Sequence, residues 1–417
     1  MNAKRKVIVV GGGFAGLQLV RELDEELFDV LLIDKVNHHQ FQPLFYQVAT
    51  SQIEPSSISF PLRHIFRNKE NVKIRLAEVT NVEQEKNKIY TTIGEFEYDY
   101  LILAMGSTTN FFGNGEISKN ALTLKSTYDA ITIRNHILQI FENIITAKED
   151  EKEALENIVI VGGGPTGVEL SGAFSEIKKN ILPKDYPRID FSELKIILVE
   201  GSNHTLNSMS NLAKEESKKY LDEMGVTLLT DTIVKNYDGT TLKLADGTEI
   251  KSKTVIWAAG VTACTVKGIS KNSISHGNRL IVDRTNKLFE SENIFVVGDM
   301  AKMETPNYPN GHPQLANVAI NQAKNLAKNL RTIELGGELK EYEYKDLGTM
   351  ATIGRNKAIV DLSFGSFKGL FAWFIWMFLH LMLILSVKNK LIIFIDWAWA
   401  YITKDTALRL IIKDNKR

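Results

Sequence analysis

A single cysteine, Cys264, stands in a chain of 417 residues. It excludes an internal disulfide and any redox-active cysteine pair, and it is compatible with a reducing cytoplasm. Net charge is lacking too: 50 basic and 50 acidic residues cancel, so no nucleic-acid surface is indicated and any charged patch is local. There is no low-complexity segment. Long uncharged runs are few, and the run from Gly369 to Val387 has only 19 residues with His380 inside it, the short end of what crosses a bilayer. The basic start, Met1 to Lys6, is followed by four apolar residues and no small-residue cleavage site, so it reads as the start of a first strand. With 44% hydrophobic and 24% charged residues, the composition is globular, with room for two or three domains.

What is present is a pair of glycine fingerprints about 150 residues apart: Val7-Ile8-Val9-Val10-Gly11-Gly12-Gly13-Phe14-Ala15-Gly16 and Ile158-Val159-Ile160-Val161-Gly162-Gly163-Gly164-Pro165-Thr166-Gly167. Each follows a β-branched run and precedes a helix-compatible stretch, so the chain turns tightly and brings a pyrophosphate onto a helix N-terminus. Two dinucleotides are implied. Downstream of the first, the pattern predicts a helix over 14–25 and a strand over 29–33 ending at Asp34, where a carboxylate accepts from an adenosine ribose. Downstream of the second it predicts a helix over 165–179, a proline-punctuated insertion over 181–188 and a strand over 194–199 ending at Glu200, the matching acid. No arginine follows in Gly201-Ser202-Asn203-His204, so a 2′-phosphate would meet an uncompensated carboxylate and NADH is favoured over NADPH. The run Lys148 to Glu153 is charged and reads as a solvated helix end or linker. A hairpin signal spans Leu242 to Ile250.

Three more strand-to-glycine junctions, at Gly106, Gly260 and Gly298-Asp299, complete an order that resembles the two-dinucleotide-binding flavoprotein disulfide reductase fold over about residues 5–330. The resemblance implies an α/β chain of two Rossmann-like domains, the FAD domain (1–112 and 268–345) split by an inserted NADH domain (113–267), followed by a C-terminal helical membrane-anchoring region (346–417). It also implies the cofactor contacts. FAD would be held by Gly11, Gly13, Phe14, Ala15, Gly16, Asp34, Lys35, Gln42, Val79, Ala104, Gly106, Gly298 and Asp299, and NADH by Gly162, Gly164, Pro165, Thr166, Gly167, Glu200, Ala259 and Gly260.

The lone cysteine bears on the electron acceptor. Disulfide reductases and sulfide:quinone oxidoreductases need cysteines beside the flavin, and Cys264, just past Gly260, is read as packing. Instead, Asn37-His38-His39-Gln40-Phe41-Gln42-Pro43-Leu44-Phe45-Tyr46-Gln47-Val48-Ala49-Thr50 and Ala104-Met105-Gly106-Ser107-Thr108-Thr109-Asn110-Phe111-Phe112-Gly113 closely resemble the type II NADH dehydrogenases. These are single-subunit NADH:quinone oxidoreductases that do not pump protons. No metal is assigned to His38 and His39, because adjacent side chains rarely converge on one ion and no third ligand is evident. The resemblance places Glu169 near flavin and nicotinamide, and there two readings stand: a proton relay to quinone, or an acid stabilised by the helix dipole. It puts the quinone pocket beside Ala316, Asn317, Asn321 and Gln322, where asparagines replace the usual glutamines and shorten their reach. An amphipathic helix with solvent-facing amides is the other reading of that segment.

Past residue 387, Lys388-Asn389-Lys390 precedes a second apolar run ending Trp397-Ala398-Trp399-Ala400-Tyr401, and residues 388–417 carry seven basic against three acidic groups. Interface-loving aromatics and a basic excess suit anionic lipid, and a buried dimerisation surface is the alternative. The family resemblance implies a monotopic, peripheral protein on the cytoplasmic face of the inner (plasma) membrane, a homodimer, with menaquinone or ubiquinone as acceptor and Lys390 near the quinone entrance. Two other functions are compatible with the same fingerprints: a soluble NADH-dependent reductase of a protein electron carrier, and a slow-turnover FAD/NADH redox sensor.

Overall fold

The computed structural model describes residues 3–406 and 408–412. Met1 and Asn2 of the basic start, and Lys413, Asp414, Lys416 and Arg417 of the basic tail, lie outside the described residues. The chain forms two compact units: Met1–Gln40 with Phe60–Thr108 and Val261–Asp346, and Phe41–Ser59 with Thr109–Gly260 and Leu347–Arg417.

In the first unit a five-stranded parallel sheet runs in the order Ile294–Val296, Tyr100–Leu103, Arg5–Val10, Phe28–Asp34, Val72–Leu76. Val7 pairs with Val30 on one side and with Tyr100 on the other. The run Val7 to Val10 is buried throughout, as a strand covered on both faces must be. Order reverses at Arg5–Val10, so the ligand crevice of such a sheet lies off the carboxyl ends, where Gly11, Ala104 and Val297-Gly298 follow their strands. Helix Phe14–Glu22 stops three residues before the expected end. Leu23 is already extended, and the Asp24 side chain takes the Glu26 N–H at 3.0 Å, a local bond that competes with the helix.

The second unit repeats the plan, with the parallel order Leu122–Thr123, Thr254–Trp257, Asn157–Val161, Lys195–Val199, Val226–Leu229. Helix Pro165–Asn180 follows the fingerprint, the insertion holds the short helix Leu182–Asp185, and the charged run opens the exposed helix Glu149–Glu156. The hairpin signal is the pair Thr241–Leu244 and Glu249–Lys251.

The C-terminal region is not wholly helical. Strands Thr349–Gly354, Lys357–Leu362 and Gly365–Lys368 form an antiparallel sheet before the helices Gly369–Leu383 and Val387–Thr403. Strand Thr349–Gly354 packs directly on helix Pro165–Asn180 at Gly172. The uncharged run 369–387 breaks at Ile384, which is extended, and among the described residues no helix is long and apolar enough to cross a membrane. In the first of these two helices Ala372, Trp376 and His380 face inward at four-residue intervals, while Phe371, Phe374, Phe378 and Met382 are exposed.

Candidate active site

Both fingerprints are built for close approach. Gly11 has φ of +105°, and a Cβ there would lie 2.3 Å from the Ala104 carbonyl oxygen; a Cβ on Gly16 would lie 1.8 Å from the Gly11 oxygen. Gly162 and Gly167 repeat the arrangement, with φ of +110° at Gly162 and a Gly167 Cβ 1.9 Å from the Gly162 oxygen. The helices that follow begin at Gly13 and Gly164 with no side-chain cap, and the space beside both glycines is open. Their first N–H groups are therefore available to a pyrophosphate, with Phe14, Ala15, Pro165 and Thr166 in the first turns. The residues present fit two dinucleotides.

Each ribose acid is anchored to its own glycine turn. Asp34 accepts from Gly12 N at 2.5 Å and Val36 N at 2.8 Å; burial raises its pKa and these backbone bonds oppose the rise. Glu200 accepts from Gly163 N at 2.5 Å and from Ser202 N and Oγ, both at 2.7 Å. Asp299 takes the Ser107 hydroxyl at 2.6 Å, and its backbone oxygen accepts from Gln314 at 3.0 Å. Gly106, Gly260 and Gly298 all have positive φ, and Ala259 lies two residues past the end of Thr254–Trp257. Val79 is buried in the strand Val79–Glu83. Lys35 is exposed and ion-paired to Glu78 at 2.6 Å. Gln42 is exposed and belongs to the second unit, whereas the other expected FAD residues belong to the first.

His39 has a role that its pattern did not reveal. It is 2% exposed, burial lowers its pKa to about 4, and its Nδ1 is 3.0 Å from the Gly12 carbonyl oxygen. A carbonyl only accepts, so Nδ1 carries the proton, and the neutral ring braces the fingerprint turn.

The second unit also holds a cleft of about 560 Å³, counting its open mouth. Helix Pro165–Asn180 contributes Glu169 and Glu176, seven residues apart and thus on one helix face. Glu169 is 9% exposed, burial pushes its pKa well above the ordinary value, and among the described residues Thr352 N donates to it weakly at 3.4 Å. Glu176 accepts from Arg355 N at 2.6 Å; burial raises its pKa, and that bond together with the Arg355 charge opposes the rise. The Arg355 guanidinium donates to the Ala400 oxygen at 2.7 Å and sits 5.3 Å over the Tyr401 ring. Tyr46, Gln47, Trp376 and Trp397 complete much of the wall. His380 stacks on Trp376 at 4.3 Å, and burial lowers its pKa to about 4.

Two family models match this chain: pyridine nucleotide-disulphide oxidoreductase over residues 5–323 and NDH2 C-terminal domain over 347–404. It is 31% identical to the type II NADH:quinone oxidoreductase Ndh of Mycobacterium tuberculosis, over 96% of this chain and 89% of the relative. The chain belongs to the type II NADH:quinone oxidoreductase family. The family member of Haemophilus influenzae is 30% identical over 94% of this chain and 97% of its own. NDH2 of Plasmodium falciparum, solved in complex with NADH, has the same fold, with a TM-score of 0.89 at 22% identity over 99% of this chain and 100% of its own. The sulfide:quinone oxidoreductase of Aquifex aeolicus superimposes with a TM-score of 0.74 at 18% identity, covering 93% of this chain and 92% of its own.

In this type II chain the other expected acceptor residues are placed as follows. Ala316 opens the helix Ala316–Leu335, and Asn317 donates to the Tyr344 hydroxyl at 3.3 Å. Asn321 is half-buried, and Gln322 is fully buried with its oxygen on Gly298 N at 2.8 Å; its visible work is to hold the Gly298-Asp299 turn. Lys390 does not line the cleft. Its ammonium is bound to the Met382 carbonyl at 2.9 Å, capping the preceding helix where its dipole is negative. Tyr46, Gln47, Glu176, Arg355, Trp376 and Trp397 were missed as site residues. Tyr46 and Gln47 stand inside the family-like stretch 37–50 and Glu176 lies seven positions after Glu169, signals that the sequence carried for these three.

Proposed function

We propose that the chain oxidises NADH and reduces a membrane quinone without pumping protons, with NADH at the second fingerprint, FAD at the first, and the quinone head group in the Glu169–Glu176 cleft. Bound FAD supplies the redox chemistry, taking two electrons from NADH as hydride and giving them to quinone. The chain's own residues bind, orient and move protons. Glu200, with both oxygens held by N–H and O–H donors, stays an acceptor for ribose hydroxyls and disfavours a 2′-phosphate. Quinone reduction consumes two protons, and a carboxyl kept neutral by burial, as at Glu169, holds one ready for the quinone oxygen.

The observation that carries this reading is the cleft itself: a buried acid, Glu169, and a half-buried one, Glu176, sharing a wall with aromatic side chains of helices whose outer surface is apolar. Phe371 and Phe378 are each 62% exposed, Trp399 61% and Ile402 79%, a patch that calls for a cover. Lipid supplies one and is also where quinone resides. Peripheral, monotopic attachment at the cytoplasmic face of the inner membrane, and a homodimer, belong to the same proposal. Residues Ala316, Asn317 and Asn321 remain proposed quinone-side groups of the first unit.

Anaerobic stopped-flow tests the function directly. NADH is expected to bleach the flavin absorbance and ubiquinone-1 or menadione to restore it at a catalytically useful rate. Bleaching that persists in the presence of either quinone would sink the proposal.

A further inference from the structure

The direction of one buried hydrogen-bond chain is fixed by chemistry alone. The Trp397 indole, on helix Val387–Thr403, lies 2.8 Å from Gln47 Oε1, and Gln47 Nε2 lies 2.9 Å from the Tyr46 hydroxyl. An indole N–H only donates, so the amide must present its oxygen to Trp397 and its NH₂ to Tyr46; the reverse flip would set two donors against each other. The Tyr46 oxygen therefore accepts, and its own proton has to go elsewhere. No acceptor for it lies within hydrogen-bonding distance among the described residues, although Tyr46 is only 5% exposed and forms part of the cleft wall.

We propose that Tyr46 donates its phenolic hydrogen bond to a carbonyl oxygen of the bound quinone, and that Gln47 and Trp397 are positioning residues that keep the proton pointed into the cleft. This rests on the quinone reading above. A quinone has two carbonyl oxygens and no donor, so a wall of aromatic carbon with one aimed O–H matches its chemistry. Burial, the largest cause, pushes the phenol's pKa well up, so it stays protonated and able to donate. Because Trp397 sits on one of the two apolar C-terminal helices, the seating of that helix sets the polarity of the site.

The test uses the full-length holoenzyme and both half-reactions. Tyr46→Phe is expected to leave the rate of NADH-driven bleaching unchanged and to raise the KM for ubiquinone-1, or slow reoxidation, by about tenfold, the size of one lost hydrogen bond. Trp397→Phe and the volume-conserving Gln47→Met free the phenol to rotate and are expected to give a smaller loss of the same kind. In a Tyr46→Phe background neither adds to the loss. Reoxidation of Tyr46→Phe at the wild-type rate and KM would overturn the inference, as would full additivity of the double variants. If the wild-type enzyme itself is not reoxidised by quinone, the functional reading fails instead.

Discussion

The carbonyl oxygen of Ile353 stands 1.6 Å from the point that a Cβ would occupy on Gly172. A mid-helix glycine weakens its helix by about 1 kcal/mol relative to alanine, and here that weakness is the condition for a strand to lie against the helix. The contact matters because the same helix carries Glu169 and Glu176 and the same strand carries Thr352, so it sets one wall of the cleft.

Gly172→Ala is accordingly expected to destabilise the protein by about 3 kcal/mol, the upper part of the range for overpacking, because backbone rather than a side-chain tip is in the way. It should also impair quinone kinetics. Gly115→Ala, with nothing within 4 Å of its Cβ position, is the control. Urea midpoints for the two variants check this, and equal midpoints would show that the strand yields freely.

Glu200→Gln keeps the shape of the ribose acid and removes its charge. The Gly163 and Ser202 donors then lose a charge-assisted acceptor, and the repulsion of a 2′-phosphate is relieved. The expected result is a KM for NADH raised by about tenfold and a narrowed preference over NADPH. Steady-state kinetics with both nucleotides decides, and unchanged discrimination would remove Glu200 from the ribose site.

The raised pKa of Glu169 carries a stability consequence with a definite sign. In the unfolded chain the carboxyl ionises near its ordinary value of 4.5, whereas burial keeps it neutral in the folded protein to a higher pH. Above about 4.5 the unfolded state therefore binds fewer protons, and stability falls as pH rises, by at most about 1.4 kcal/mol per unit for one group. Glu176, also raised, adds a term of the same sign. Glu169→Gln should lose part of this slope, so that denaturation midpoints at pH 5 and pH 8 lie closer together than in the wild type. An unaltered difference would mean that Glu169 is ionised in the fold.

How much of this was legible in the sequence follows from range. Gly11, Gly162, Asp34 and Glu200 sit in local units in which a β-branched run, a glycine turn and an amphipathic helix are contiguous, so pattern alone placed them. The antiparallel sheet around the Arg355-Asn356 turn, where Asn356 has φ of +63°, carries a weak signal because its strands bury runs of three, Ala351 to Ile353 and Ala358 to Val360, instead of alternating. The cleft was beyond reach for a different reason. Tyr46 is 123 residues from Glu169, and Gln47 is 350 from Trp397; no periodicity joins such partners. Lys390 was read from resemblance alone, and its bond to the Met382 carbonyl eight residues back is a local contact that no motif announces.

The exposed face of the C-terminal helices gives the last test. Phe378 is 62% exposed in a row with Phe371 and Phe374, whereas Trp376, on the opposite side of the helix, is 2% exposed. A charge at Phe378 therefore leaves the packing of the helix untouched and acts only on what covers it. If lipid is the cover, Phe378→Glu forfeits most of the transfer free energy of one phenylalanine and adds repulsion from anionic head groups, weakening vesicle binding by about tenfold or more. Binding of the wild type should also fall with salt, because Lys388 is exposed in the first turn of helix Val387–Thr403 and its attraction to anionic head groups is screened. Co-sedimentation with phosphatidylglycerol-containing vesicles measures both. If Phe378→Glu sediments like the wild type but no longer forms a dimer in detergent, the apolar face is a subunit contact and lipid is held by another surface.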